Sequence, residues 1–261
     1  MDLALDGKVA VVAGGSRGIG KGVARKLAEE GCDLLLVAVT ETNLKAAGEE
    51  IAAKTDRRVE ICAVDLGDPK GADTALDVAT STYGRTNILV NSAGVAVGGA
   101  FLDLTDEVWQ RGFGPKLFGT VRMCQRFWPM LKEANGSVVN IAGTRGKVPA
   151  HDFMVNSAVN AALMNFTKAL AGLGLIDDVN VNCVIPGQTK TDLLYDNFRQ
   201  AAKMDNSTPE EVEKKRIAAT GLRRFGEPED IANLVAFLVS PLGRHVHGAM
   251  LPVDGGTDKA L

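Results

Sequence analysis

Short, unbroken runs of valine, isoleucine, leucine and alanine recur along the chain, and most lead into a helical pattern. KVAVVAG (8–14) precedes a helix through Glu30, DLLLVAV (33–39) a helix through Lys54, and VEICAVD (59–65) a helix ending near Tyr83. NILVNSAG (87–94) opens a longer helical stretch. GSVVNIAG (136–143) leads into FMVNSAVNAALMNFTKAL (153–170), and VNVNCVIPG (179–187) follows. Continuous apolar runs, unlike alternating ones, belong to strands covered on both faces. Strand–helix alternation with short connections implies an α/β fold, a doubly wound parallel sheet with helices on both faces. The 261 residues suffice for one large core, so 1–261 reads as a single domain. The polar, charged stretch 190–226 follows a strand's carboxyl end, where open α/β sheets bind ligands, and is expected to be a lid or a surface helical excursion.

Composition excludes little but directs the search. A net charge of −3 gives no basic footprint for nucleic acid. No segment reaches the roughly 18 uncharged apolar residues of a membrane span, and MDLALDGKVAVVAGG lacks the basic start of a signal peptide. Cys32, Cys62, Cys124 and Cys183 are widely separated, which suits buried thiols in a reducing cytoplasm better than disulfides or zinc. His245 and His247 form an HxH without further ligands and read as a polar turn. No metal site is expected.

AGGSRGIG (13–20) joins the first strand to the first helix. Gly14, Gly18 and Gly20 permit a tight turn and close approach to a pyrophosphate facing the helix amino terminus. With the GxxxGxG spacing, NSAG (91–94), PGQTKT (186–191), RFGEPEDIANLVAFLVS and VDGG (253–256), the chain resembles the short-chain dehydrogenases/reductases over essentially its whole length. The resemblance implies a Rossmann-type NAD(P)-binding domain, hydride transfer on a small-molecule substrate, and a homotetramer. It places Ser16, Arg17, Gly18 and Ile19 around the phosphates, and Asp65 at the adenine. Asn91, Ala93 and Gly94 then meet the adenosine side, and Pro186, Gly187, Thr189 and Thr191 the nicotinamide end. Ala38 stands where NAD-preferring members carry an acid, and Arg17 adds a cation, so NADP(H) is expected over NAD(H). A solvated Arg17 is the bland alternative.

The family's tyrosine, lysine, serine and asparagine do not align with the same residues here. Asn156 stands for the tyrosine, Asn160 for the lysine, Gly143 for the serine and Lys116 for the asparagine. An amide is no acid near neutral pH, and loss of a positioned general acid removes about 10²–10⁴ in rate. Lysine at 116 with asparagine at 160 suggests a charge moved across the pocket; two independent changes, with Lys116 in solvent, is the other reading. Pro115 is expected to kink the helix there. Tyr195 in the expected lid and His151 before the Asn156 helix are further candidates, while Tyr83 falls away from the strand edge. Arg145, Lys147 and Lys116 suggest an anionic substrate, or else a solvated loop. The functional expectation is an oxidoreductase with an atypical active site. Its rivals are a non-catalytic NADP(H)-binding sensor or partner subunit, and a non-redox lyase or isomerase.

Overall fold

A computed structural model of the chain describes residues 2–258. The apolar runs are strands: β1 (Val9–Ala13), β2 (Asp33–Ala38), β3 (Val59–Ala63), β4 (Ile88–Asn91), β5 (Ser137–Ile141), β6 (Asn180–Pro186) and β7 (Met250–Val253). They form one parallel sheet in the order β3-β2-β1-β4-β5-β6-β7. Every residue of β1, β4, β5 and β6 is buried, which is why those runs do not alternate.

Successive strand residues feed two separate cores. Ala10, Val12, Leu34 and Leu36 pack with helices α1 (Gly18–Glu29), α2 (Glu41–Thr55) and α9 (Pro228–Leu238). Val11, Ala13, Leu35 and Val37 pack on the opposite face with α3 (Gly71–Tyr83), α5 (Thr120–Glu133) and α6 (Met154–Asp177). The strand order reverses between β1 and β4. Open α/β sheets bind their ligands in the crevice outside the strands' carboxyl ends at such a switch point.

Three elements differ in character from their sequence appearance. The helix around Pro115 does not break. α4 (Asp106–Phe113) passes through a wide π turn, Gly114–Gly119, directly into α5. A proline has no N–H for the i−4 carbonyl, and the wider turn accommodates that gap. The polar stretch 190–226 is largely helical, with α7 (Asp192–Met204) and α8 (Pro209–Thr220). Leu194, Phe198, Val212 and Phe225 give the pair a small core of its own. α6 has the length and apolar composition to cross a membrane, a property the sequence reading did not single out. In the fold Val155, Val159, Leu163 and Thr167 bury one side of it.

Glycine decides two positions in α1 and α2. A Cβ on Gly20 would lie well inside contact distance of the Gly14 carbonyl oxygen, and neither backbone can move freely. A Cβ on Gly48 would meet only the Ile61 and Val59 side chains, at 3.4 and 3.5 Å. Gly48→Ala should therefore stabilise the chain by about 0.5–1 kcal/mol, the ordinary helix advantage of alanine. Gly20→Ala should destabilise it by about 1–3 kcal/mol, as overpacking does. Urea denaturation of the two variants tests this, and equal midpoints would contradict it.

Candidate active site

The glycine turn connects β1 to α1 at the switch point. Gly14 has φ +80 and packs on the end of β4, where an added Cβ would meet the Ser92 carbonyl carbon at 2.7 Å and Ala93 N at 2.8 Å. Gly18 has φ +55 and lies against Thr191, whose Cγ2 would be 3.2 Å from a Cβ there. The turn therefore joins the ends of β1 and β4 to the segment after β6. Arg17, exposed, is the N-cap of α1 and makes no side-chain capping bond, so no side chain caps the first-turn amides of α1. Those donors at the positive end of a helix suit a pyrophosphate, and the glycine cradle fits a dinucleotide.

Beside this turn a cleft of about 480 Å³ runs between α1 and α2, lined by Ser16, Arg17, Asn43, Lys190 and Thr191 among others. Lys21 and Arg25 also line it, but they pair with Glu50 and Glu229. The cleft lies on the helix side of the turn and does not include Lys116, Asn156 or Asn160. Asn43 was not among the sequence candidates; its place in the first turn of α2, just past β2, was the available signal.

At the other strand ends the expected contacts separate into two kinds. The Asn91 side chain is buried and donates to Asn140 Oδ1 at 2.9 Å, while Asn140 donates to Thr167 Oγ1 at 2.9 Å. Its Nδ2 thus ties β4 to β5 and, through Asn140, to α6, while its Oδ1 is buried without a partner among the described residues; Ala93 and Gly94 follow the strand end. The Asp65 carboxylate accepts from Gly67 N at 2.7 Å and closes its own turn. Thr189 is buried and bridged to Gly226, and Gly187 abuts Asp254.

Lys116 sits in the π turn with its stem against Gly94: a Cβ there would be 3.1 Å from Lys116 Cδ. It is partly buried, and its Nζ lies 3.5 Å from Ala142 O at the end of β5. Burial pushes its ammonium down to about 8, opposed in part by the nearby Cys183. The next residue, Gly143, leaves open the space beside Asn160, whose Oδ1 would be 3.3 Å from a Cβ at 143. Asn160 Nδ2 donates to Asn156 O at 2.7 Å and to Asn156 Oδ1 at 3.0 Å. Bonding to a backbone carbonyl fixes which way the Asn160 amide faces. Its Oδ1 is buried without a partner among the described residues, and the Asn156 Nδ2 is left uncommitted. Lys116 and the asparagine pair thus border the same Ala142–Gly143 backbone without bonding to one another.

The remaining tyrosine and histidine candidates make no hydrogen bond to Lys116, Asn156 or Asn160 among the described residues. Tyr195, 37% exposed, stands edge-on to Phe198 in α7. His151 is exposed in the turn before α6. The Tyr83 hydroxyl donates to Leu34 O at 2.7 Å, and burial pushes it up to about 12. His247 bonds Ala171 O at 2.7 Å through Nε2, and no group of three or more His, Cys, Asp or Glu placed to hold a metal occurs among the described residues. One expectation needs revision. Lys147 is not a free cation for an anionic substrate, because its Nζ pairs with Asp258 Oδ2 at 2.7 Å.

Comparison with known proteins places the whole chain in one family of folds. A family model described as enoyl-(acyl carrier protein) reductase matches residues 13–258. An uncharacterized oxidoreductase of Mycobacterium tuberculosis is 33% identical, covering 97% of this chain and 92% of its own. The 3-oxoacyl-[acyl-carrier-protein] reductase of Aquifex aeolicus is 32% identical, covering 98% and 99%. The L-sorbose reductase of Gluconobacter frateurii, complexed with NADPH and L-sorbose, superposes with a TM-score of 0.97. It is 30% identical, with 100% of each chain covered.

The buried Lys116 ammonium carries a stability consequence. Because folding lowers its pKa to about 8, the charged form is penalised in the native state. The penalty is fully present below pH 8 and fades as pH rises toward the unfolded value of 10.5. Lys116→Met should stabilise the chain at pH 7 by about 1–2 kcal/mol, a figure discounted for the side chain's remaining exposure. Denaturant titrations at pH 7 and pH 10 check this, and a gain equal at both would contradict it.

Proposed function

The chain belongs to the short-chain dehydrogenase/reductase family, and from that membership we propose an NADP(H)-preferring oxidoreductase acting on a small carbonyl or alcohol substrate. When bound, the nicotinamide supplies or accepts hydride at the substrate carbon. The observation that carries the reading is the placement of Lys116 Nζ beside Ala142 O, at the same sheet edge as the uncapped amides of α1.

Ser16, Gly18, Ile19 and the α1 amides hold the pyrophosphate. Arg17 pairs with the 2′-phosphate, and Ala38 at the end of β2 offers no carboxylate to repel it. The complex of the similar sorbose reductase with NADPH supports that preference. Pro186, Gly187, Thr189 and Thr191 border the nicotinamide end, where Thr191 already touches the glycine turn.

At the substrate oxygen the work falls to Lys116, Asn156 and Asn160 instead of a tyrosine and serine. Lys116 Nζ and Asn156 Nδ2 are the two donors that remain for it, since Asn160 Nδ2 is spent on Asn156. In reduction, protonated Lys116 gives its proton to the developing alkoxide; in oxidation the neutral amine takes it back. Tyr195 and His151 border the substrate mouth. With Lys147 paired to Asp258, support for an anionic substrate rests on Lys116 and Arg145 alone.

The reading extends to a cytoplasmic homotetramer without nucleic-acid or membrane partners. Exposed Leu173, Leu175 and Ile176 on α6, with Phe118 where the π turn meets α5, support a subunit interface. Four buried free thiols suit a reducing compartment.

Deuterium from C4-deuterated NADPH should appear in the product alcohol. Turnover without label transfer would indicate lyase or isomerase chemistry, and NADPH binding without turnover a sensor or partner subunit. Reduction should slow as pH rises through about 8, where Lys116 loses its proton. Lys116→Met should remove this dependence and lower the rate by about two orders of magnitude.

Cofactor choice is tested separately. Arg17→Ala should weaken NADPH by about 1–3 kcal/mol and leave NADH nearly unchanged, the scale of a charge-assisted hydrogen bond. Equal losses in titration calorimetry would refute the assignment.

A further inference from the structure

We propose that the segment following β7 is a strap that positions the loop between β5 and α6, with Asp254 and Asp258 as its positioning residues. The inference stands on packing and does not depend on which reaction the site performs.

The strap begins at the nicotinamide end of the proposed site. Pro186 pairs with Val253, and Gly187 approaches Asp254 so closely that an added Cβ would lie 2.7 Å from Asp254 Cβ. The Asp254 carboxylate then folds the chain back on itself. It accepts from Gly256 N at 2.9 Å, Thr257 Oγ1 at 3.1 Å and Asp258 N at 2.6 Å. This turn delivers Asp258 to Lys147, with Oδ2 2.7 Å from Nζ and the Asp258 side chain only 1% exposed.

Lys147 lies midway along the loop that carries Gly143, Arg145 and His151. The loop's own backbone bonds are local: Gly146 N to Gly143 O, and Lys147 N and Val148 N to Thr144 O. Val148, Pro149, His151 and Asp152 are exposed. External ties also hold it: Gly146 packs closely on Asn160 and Ala161 of α6, Ala150 N donates to Ser157 Oγ at 3.3 Å, and Gly99 N donates to Asp152 O, while the ion pair is the tie that reaches the loop from beyond β7. Burying a carboxylate to this degree is costly unless it is paired, so separating the loop from the strap removes the Lys147 cation from Asp258. Retaining Lys147 and Asp258 together thus fixes two walls of the site, after β5 and after β6, relative to each other.

The spacing of the motifs gave no hint of this pair, because Asp258 lies beyond VDGG and Lys147 read as a substrate cation. Their chemistry is mutual instead.

Hydrogen exchange followed by mass spectrometry on the full chain tests the strap. Asp258→Asn, nearly isosteric, should accelerate exchange in peptides covering 144–152 by tenfold or more and leave those covering 41–55 unchanged. Lys147→Gln should open the same amides by a similar factor, and supplies the test if Asp258→Asn does not fold. Lys147→Arg keeps the charge and should retain protection. Unchanged exchange in 144–152, acceleration in both regions alike, or an arginine variant as open as the glutamine one would each overturn the proposal.

Discussion

Two backbones meet where the strand order reverses, with no room for a side chain between them. Gly14 rests on the Ser92–Ala93 peptide, and Gly20 closes against Gly14 from the first turn of α1. This contact brings the amino end of α1 to the carboxyl edge of the sheet and aims its unpaired donors at one place. Everything proposed for the cofactor follows from that approach. Gly18 then brings Thr191 into contact, so the segment after β6 is registered to the same turn. Backbone, not side-chain chemistry, builds this half of the site.

That is also why this half was legible in the sequence. Glycines at fixed spacing between an apolar run and a helical pattern admit few other structures, and the strands revealed themselves because burial on both faces leaves no polar phase. Legibility failed where local pattern and tertiary packing diverge. At Pro115 the irregularity takes the form of a π turn, which accommodates the missing proline N–H without ending the helix. The 190–226 stretch left a lid and a surface helical excursion both open, because its few apolar residues, such as Leu194 and Phe198, form a small core of their own.

Side-chain direction was the other unreadable quantity. Asn91 sits in a motif that suggests contact with a ligand, and its Nδ2 also joins the Asn140–Thr167 network inside the sheet, a bond that no local pattern announces. Lys147 stands close in sequence to Arg145, and nothing local distinguishes a solvated lysine from a paired one. Its partner arrives from beyond the last strand. Residue type and spacing indicate which chemistry a chain has available. They do not say toward which neighbour each group turns, because that is decided by elements distant in sequence.

The proposed active site shows how those limits and the physics combine. Two amides at 156 and 160 satisfy each other on one side and leave an orphan acceptor, Asn160 Oδ1, beside the missing side chain of Gly143. A carbonyl substrate needs donors, and an acceptor alone would repel its oxygen. In the proposed mechanism those donors are Lys116 Nζ and Asn156 Nδ2. The burial that makes the ammonium costly to keep also brings its pKa to about 8, near enough to neutrality for proton exchange. A solvent-facing lysine would be cheaper for stability and, with its ordinary pKa, a far weaker acid. The position of Lys116 within a π turn, its stem against Gly94 and its charge at Ala142, is thus the arrangement expected if native stability has been surrendered for a usable acid at the sheet edge.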